Sequence, residues 1–233
     1  IDRLQLGCNR LNIPMPDQTV LVDEASRLIK SIARGVIKII ISRGRGGRGY
    51  ALPEHPEPNR IMSVYAWPDY PAENSTSGVN VRICDYRYAK NPTLAGIKHL
   101  NRLEQIVARS EWSDTSIADG LMMDIDENVI EGTMSNIFYF IDGTLYTTDL
   151  FASGITGIIR QKIIELASDL SIDVAIQVTP LELLMNAHEA FMCNSIIGIW
   201  PIKRIAEKPV PVGKQTNRIK QALQKQHFIS TLC

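Results

Sequence analysis

The stretch Leu94-Ala-Gly-Ile-Lys-His-Leu-Asn-Arg-Leu-Glu104 carries the most information in this chain. It sets one lysine, Lys98, among the small or apolar residues Ala95, Gly96, Ile97 and Leu100. An ammonium is rarely left in apolar surroundings, because burying the charge is costly. A desolvated lysine loses its proton more readily and becomes a nucleophile toward an aldehyde. The same residues also describe a lysine at a helix start with its head in water, and only the rest of the chain separates the two readings.

Outward from Lys98, a proline-containing loop precedes it and a helix is expected over 101–111. Short strands are expected at 79–86, 119–124, 128–131, 136–141 and 144–147. Asp142-Gly143 is a hairpin signal between the last two. A helix over 157–170, strands at 173–178, 189–193 and 197–205, a short helix at 180–186 and a closing helix near 216–226 complete this part. Before them lie helices at 2–11 and 17–34, the second with Val20, Ala25, Leu28, Ile29 and Ile32 as core positions, and strands at 36–42 and 60–67. The stretch 68–78 is rich in Pro, Ser, Asn and Glu and has no periodicity. We therefore expect a small α/β domain over 1–72, a linker at 73–78 and a larger domain over 79–233. Hairpins mixed with helices make the class α+β rather than doubly wound.

Lys+Arg and Asp+Glu number 25 each, so the net charge is zero and neither a nucleic acid nor an acidic membrane is an expected partner. The longest apolar runs, such as Val36-Ile-Lys-Ile-Ile-Ile41, are strand-sized and far short of a membrane span. Cys8, Cys84, Cys193 and Cys233 are scattered without a CxxC pair, which argues against a metal site and fits a reducing cytoplasm. There is no signal-peptide pattern. The chain starts at Ile1 on a helix with no strand before it, and we expect an N-terminal segment to be absent.

Five further places could carry chemistry. Gly154-Ile-Thr-Gly157 opens a helix, where free N–H groups favour an anion and Thr156 adds a hydroxyl; it also reads as a plain helix cap. Asn194-Ser195 follows an apolar run and is either a turn or a phosphate ligand. Glu131 ends a short strand before Gly132-Thr-Met-Ser-Asn136; held in a pocket, such a carboxylate can pair with a protonated pyridine nitrogen. The loop Arg43-Gly-Arg-Gly-Gly-Arg-Gly-Tyr50 is an Arg-Gly RNA-binding segment, a solvated hairpin, or a loop placing Arg43 and Arg48 at a pocket mouth as a carboxylate clamp. Arg3 lies on the first helix beside apolar neighbours, as a snorkelling arginine would.

Together these segments resemble the fold-type IV pyridoxal-phosphate enzymes of the class-IV aminotransferase family, over essentially the whole chain. The most specific piece is Asn91-Pro-Thr-Leu-Ala-Gly-Ile-Lys-His-Leu-Asn-Arg-Leu-Glu104, and with Ile41-Ser-Arg-Gly-Arg-Gly-Gly-Arg-Gly-Tyr50 it resembles the lyases of the family more than its aminotransferases. The resemblance implies a two-domain fold like that of D-amino-acid aminotransferases, with a truncated N-terminal domain, and pyridoxal 5'-phosphate as cofactor. Lys98 would be the Schiff-base lysine and proton carrier, neutral in its site, and Glu131 would face the pyridine nitrogen. Arg3, Ile155 through its backbone, Thr156 and Ser195 would hold the phosphate. Arg48, and with it Arg43, would hold a substrate carboxylate.

A lyase of this kind converts the small molecule 4-amino-4-deoxychorismate to 4-aminobenzoate and pyruvate in folate biosynthesis. The alternative is an aminotransferase of D- or branched-chain amino acids, to which the pattern Glu131-Gly-x-x-x-Asn136 also points. The family is homodimeric. Its Gly-Asp-Gly and Phe-x-Thr pocket residues have no counterpart in this chain, so weak or no activity is expected of the chain as it stands. A non-enzymatic RNA-binding module built on the Arg-Gly loop is the remaining, remote reading.

Overall fold

The computed structural model describes residues 1–226. They fall into two compact units, Ile1–Asp69 and Tyr70 onward. The first unit contains helices α1 (Asp2–Arg10) and α2 (Gln18–Ile29) and strands β1 (Gly35–Ser42) and β2 (Asn59–Ala66). The strands pair antiparallel from Gly35↔Ala66 to Ser42↔Asn59. Asp17 starts α2 by accepting the Thr19 N–H at 2.6 Å, the usual role of an aspartate at a helix cap. The core of this unit is small: Cys8, Leu21 and Ile41 are buried, with Leu4, Ile13, Met15, Ile39 and Met62 packed on them.

Helix α2 is shorter than the expected 17–34, and its apolar stripe is not the core face. Leu21 is fully buried, whereas Val20, Leu28, Ile29 and Ile32 are exposed. Two strands offer too narrow a face to cover a stripe running the length of that helix.

The second unit begins at Tyr70, and the expected linker 73–78 falls within its first residues. Residues Glu73–Thr76 form the short helix α3, with Ser75 buried. The other elements are β3 (Val79–Tyr88), α4 (Leu103–Arg109), β4 (Ile117–Asp124), β5 (Asn128–Gly132), β6 (Asn136–Ile141) and β7 (Thr144–Thr148). They continue with α5 (Ile158–Asp169), β8 (Val174–Gln177), β9 (Thr179–Pro180), α6 (Leu181–Met185), β10 (Glu189–Asn194), β11 (Gly198–Ile205), β12 (Lys208–Pro209) and α7 (Lys214–Lys225). All ten strands form one mixed sheet in the order β8-β7-β6-β10-β11-β3-β4-β5-β9, with β12 on β11. The pairs β11–β3, β3–β4 and β7–β8 are parallel and the rest antiparallel.

The sheet curls on itself like a barrel. Thr148 Oγ1 on β7 donates to the Ile130 carbonyl on β5 at 2.5 Å, although β7 and β5 are far apart in the strand order. One core fills the curl around Leu121, Ile137, Tyr139, Met192 and Ile202. A second lies on the outer face under α5 and α7, around Phe138, Phe191, Ile163 and Leu223. Asp142 and Gly143 turn between β6 and β7 with φ of 49° and 85°, the left-handed pair that a two-residue hairpin needs.

Candidate active site

Lys98 sits in an irregular loop between β3 and α4. Ala95 and Ile97 are buried, while Lys98 is exposed in the single chain. Its neighbours therefore do not desolvate it, contrary to the expectation from their apolar character. In an extended loop successive residues face opposite ways, and Ile97 takes the inward place. The loop is tied down on both sides. Gly96 N donates to Gly154 O at 2.9 Å and Thr156 N to Gly96 O at 3.1 Å, a parallel bridge to Ile155. Arg102 donates from Nε to His99 O at 2.8 Å and from Nη2 to Ile97 O at 2.9 Å.

Glu131 lies near the end of β5 with 3% of its surface exposed. Both of its carboxylate oxygens accept hydrogen bonds. Tyr88 Oη donates to Oε1 at 2.9 Å, and Ile155 N and Asn136 Nδ2 donate to Oε2 at 2.9 and 3.2 Å. Asn136 Nδ2 also donates to Ile155 O at 2.8 Å. Burial pushes the Glu131 carboxyl up to about 7, against the bonds from Ile155 and Tyr88 and the positive charges of Arg102 and Lys98. The group is thus poised near neutrality, where a charged partner decides its state.

Gly154 makes this approach possible. Its φ is +85°, and a Cβ there would come within 2.7 Å of Leu150 Cδ2, 2.8 Å of Ile130 Cγ2 and 3.3 Å of Glu131 Cδ. Gly157 caps α5 in an extended conformation and no side chain caps the helix. The start of α5 therefore presents backbone donors of the kind that bind anions. The N–H groups of Ile155 and Thr156 are not among them, since they bond Glu131 and Gly96. The expected contact of the Ile155 backbone with a phosphate would have to compete with this bond to Glu131.

Ser195 is exposed in the turn between β10 and β11. Asn194 shapes that turn, accepting from Ile196 N at 2.7 Å and Ile197 N at 2.9 Å and donating to Met134 O at 2.9 Å. Because Cys193 pairs with Asn136, the turn lies at the same sheet end as Glu131. The second unit thus brings Lys98, Glu131, Ile155, Thr156 and the Ser195 turn to one region.

Arg3, Arg43 and Arg48 belong to the first unit. Arg3 is half-buried on α1, and burial lowers its pKa. Arg48 is exposed in the irregular loop after β1. Arg43, expected as a substrate clamp, is engaged at the end of α1. Its Nη1 and Nη2 donate to the carbonyls of Asn12 and Leu11, both at 2.5 Å, closing the end of α1. Carbonyls at a helix C-terminus lack intrahelical donors, and the nearby guanidinium supplies them.

Sequence reading missed Tyr88, Gln105 and Asp119. Tyr88 is buried at the end of β3 and receives Gln105 Nε2 at 2.5 Å. Asp119 is buried on β4 and accepts from Gly120 N, Thr133 N, Thr133 Oγ1 and Ser135 Oγ at 2.6–3.0 Å. It braces the turn joining Glu131 to Asn136. A polar residue in the middle of a strand of buried residues was the available signal for Asp119.

The residues fit pyridoxal phosphate. A buried carboxylate held near neutrality suits a weakly basic ring nitrogen, Lys98 is close enough for its charge to act on Glu131, and an uncapped helix start with Thr156 suits a phosphate. A curled mixed sheet bearing this lysine loop, buried glutamate and Gly-Ile-Thr turn defines a fold-type IV pyridoxal-phosphate enzyme. The chain belongs to the amino-transferase class IV family, whose profile residues 1–205 match.

Within that family it is similar to the crystal structure of 4-amino-4-deoxychorismate lyase from Pseudomonas aeruginosa, at 42% identity and a TM-score of 0.92, over 96% of this chain and 83% of that one. It is 35% identical to the aminodeoxychorismate lyase of Vibrio harveyi over 94% of this chain and 83% of that protein. The branched-chain amino acid aminotransferase of Escherichia coli is more distant, at 26% identity and a TM-score of 0.82 over 98% of this chain and 78% of that one.

Proposed function

We propose that this chain is a pyridoxal-phosphate-dependent lyase that converts 4-amino-4-deoxychorismate to 4-aminobenzoate and pyruvate, a step of folate biosynthesis. The observation that carries this reading is the difference in likeness: 42% identity to the Pseudomonas lyase against 26% to the aminotransferase, over nearly the same share of the chain.

Bound pyridoxal phosphate supplies an aldehyde for the substrate amine and a ring that accepts electrons. Lys98 Nζ would hold that aldehyde and, when free, would serve as the base at the substrate carbon bearing nitrogen. Glu131 would face the pyridine nitrogen and favour its protonated form. Thr156 Oγ1, the first turn of α5 and Ser195 hold the phosphate, and Ile155 serves by orienting Glu131. Arg3 and Arg48, in the first unit, are assigned to the phosphate and to a substrate carboxylate on the family resemblance alone. Loss of the enolpyruvyl group leaves an aromatic ring, and that gain drives the step.

The second reading, an aminotransferase, is favoured by one feature, the pattern Glu131-Gly-x-x-x-Asn136 with Asn136 on the glutamate. The test is an absorbance spectrum with pyridoxal phosphate, before and after 4-amino-4-deoxychorismate. Release of 4-aminobenzoate is expected. Nitrogen transfer to 2-oxoglutarate without release of 4-aminobenzoate would give the aminotransferase.

The working form is a homodimer in a reducing cytoplasm. Leu100, Leu103, Ile106 and Val107 are exposed on and beside α4, directly after the Lys98 loop, and a second copy would cover them. Cys8, Cys84 and Cys193 are free thiols in the interior, while Cys233 lies outside the described residues. Among the described residues no helix is long and apolar enough to cross a membrane. Sedimentation of wild type against a Leu103→Glu, Ile106→Glu double variant checks the assembly; a monomeric wild type would refute it.

A further inference from the structure

We propose that Tyr88, with its hydroxyl oriented by Gln105, is a positioning residue that keeps Glu131 a correctly aimed carboxylate. This rests on Glu131 being the partner of the cofactor ring nitrogen.

Three groups hold the Glu131 carboxylate, and they differ in kind. Ile155 N and Asn136 Nδ2 both bind Oε2, and Asn136 is tied in turn to Ile155 O. They come from the Gly154 turn and the start of β6, Ile155 through its backbone and Asn136 through its side-chain amide. Oε1 receives Tyr88 Oη from the far end of β3. A phenol has one proton and can accept as well. Gln105 Nε2, on α4, donates to the phenol oxygen at 2.5 Å, so the single phenol proton is left for Glu131. The direction of the chain Gln105→Tyr88→Glu131 is therefore set by its first member.

Toward Glu131, Tyr88 can act only as a donor. It is 3% exposed, and burial together with the Glu131 charge raises its pKa far above the ordinary phenol. Other charges also face Glu131. Arg102 and Lys98 favour its carboxylate form, and the buried Arg160 on α5 is itself influenced by it. The hydrogen bonds from Tyr88, Asn136 and Ile155 act on the carboxylate beside these charges. Burial alone would favour the acid form, and a charge-assisted bond from Tyr88 opposes it where water cannot. Helix α4 follows directly on the Lys98 loop, so Gln105 also links the element that carries the lysine to the orientation of the glutamate.

The test uses cofactor-free protein labelled with 13C at the glutamate carboxyl, with Glu131→Gln identifying the Glu131 signal. Tyr88→Phe is expected to move the titration midpoint of that signal upward by about one pH unit, a tenfold change in proton affinity. Gln105→Leu should move it in the same direction by less. The pH dependence of pyridoxal-phosphate binding should follow, with the Tyr88→Phe protein binding about tenfold more weakly at neutral pH and recovering at higher pH.

A purely structural tyrosine would lower the melting temperature without moving the midpoint, and an unmoved midpoint in Tyr88→Phe overturns the proposal. A Gln105→Leu protein that titrates like wild type removes Gln105 from it. Binding of pyridoxal phosphate by Glu131→Gln at wild-type affinity, with the Tyr88→Phe shift present, would refute the ring-nitrogen reading and leave the Tyr88–Glu131 link standing.

Discussion

The guanidinium of Arg102 holds the peptide carbonyls on both sides of Lys98, through Nε to His99 at 2.8 Å and Nη2 to Ile97 at 2.9 Å. The lysine side chain is exposed, but its backbone is clamped four residues downstream of its own position. A reactive amine on a mobile loop would spend most of its time misplaced. Arg102→Leu should therefore lower kcat by roughly tenfold or more while Lys98 stays chemically competent. Steady-state kinetics beside a borohydride-trapping assay of Lys98 checks this; an unchanged kcat would remove Arg102 from the site.

Lys98→Ala should abolish the visible absorbance of covalently held cofactor and all 4-aminobenzoate release, with the fold intact by circular dichroism. Retained absorbance at the wild-type wavelength would show that another amine anchors the cofactor.

Glu131 makes cofactor-free stability depend on pH in a definite direction. Its carboxyl in the folded chain sits near 7, above its usual 4.5, because it is buried. The folded state thus binds this proton more tightly than the unfolded state. The contribution is fully present below about 4.5 and is lost as pH rises through about 7. Wild type should lose roughly 3 kcal/mol across that window relative to Glu131→Gln, for which the term vanishes. Urea unfolding of both proteins between pH 4 and 8 measures it, and parallel curves would contradict the assignment.

Gly154→Ala combines two penalties. The position has φ +85°, and the added methyl would press on Leu150, Ile130 and the Glu131 carboxyl carbon. We expect a loss of about 3 kcal/mol of stability and weaker cofactor binding, since the carboxylate is the group displaced. Thermal melting with and without pyridoxal phosphate separates the two effects; a variant with wild-type melting and binding would show that the turn yields freely.

Much of the larger unit was legible from local chemistry. Asp142-Gly143 can make only a few kinds of turn, so the hairpin at 136–148 followed from two residues. The helix after Gly157 was read to within about a residue at each end because a glycine pair precedes a long apolar stripe. Helix α2 was read less well. Its stripe was visible, but which part of it is buried depends on how much sheet lies opposite, and that is not a local property.

The site divides in the same way. Lys98, Glu131 and the Gly-Ile-Thr turn stood out because each belongs to a short, chemically specific run of neighbours, which a linear chain preserves. Tyr88, Gln105 and Asp119 could not be found that way. Tyr88 and Glu131 are 43 residues apart, and only the curl of the sheet puts a phenol against a carboxylate. The same curl sets Ile155 N on Glu131, and the packing of α1 sets Arg43 on the carbonyls of Leu11 and Asn12, contacts that the sequence did not announce. Residue identities were enough to name the class of chemistry, because reactive groups and their turns are local. Which donor meets which acceptor was decided in three dimensions, because a buried polar group bonds whatever partner folding brings within reach.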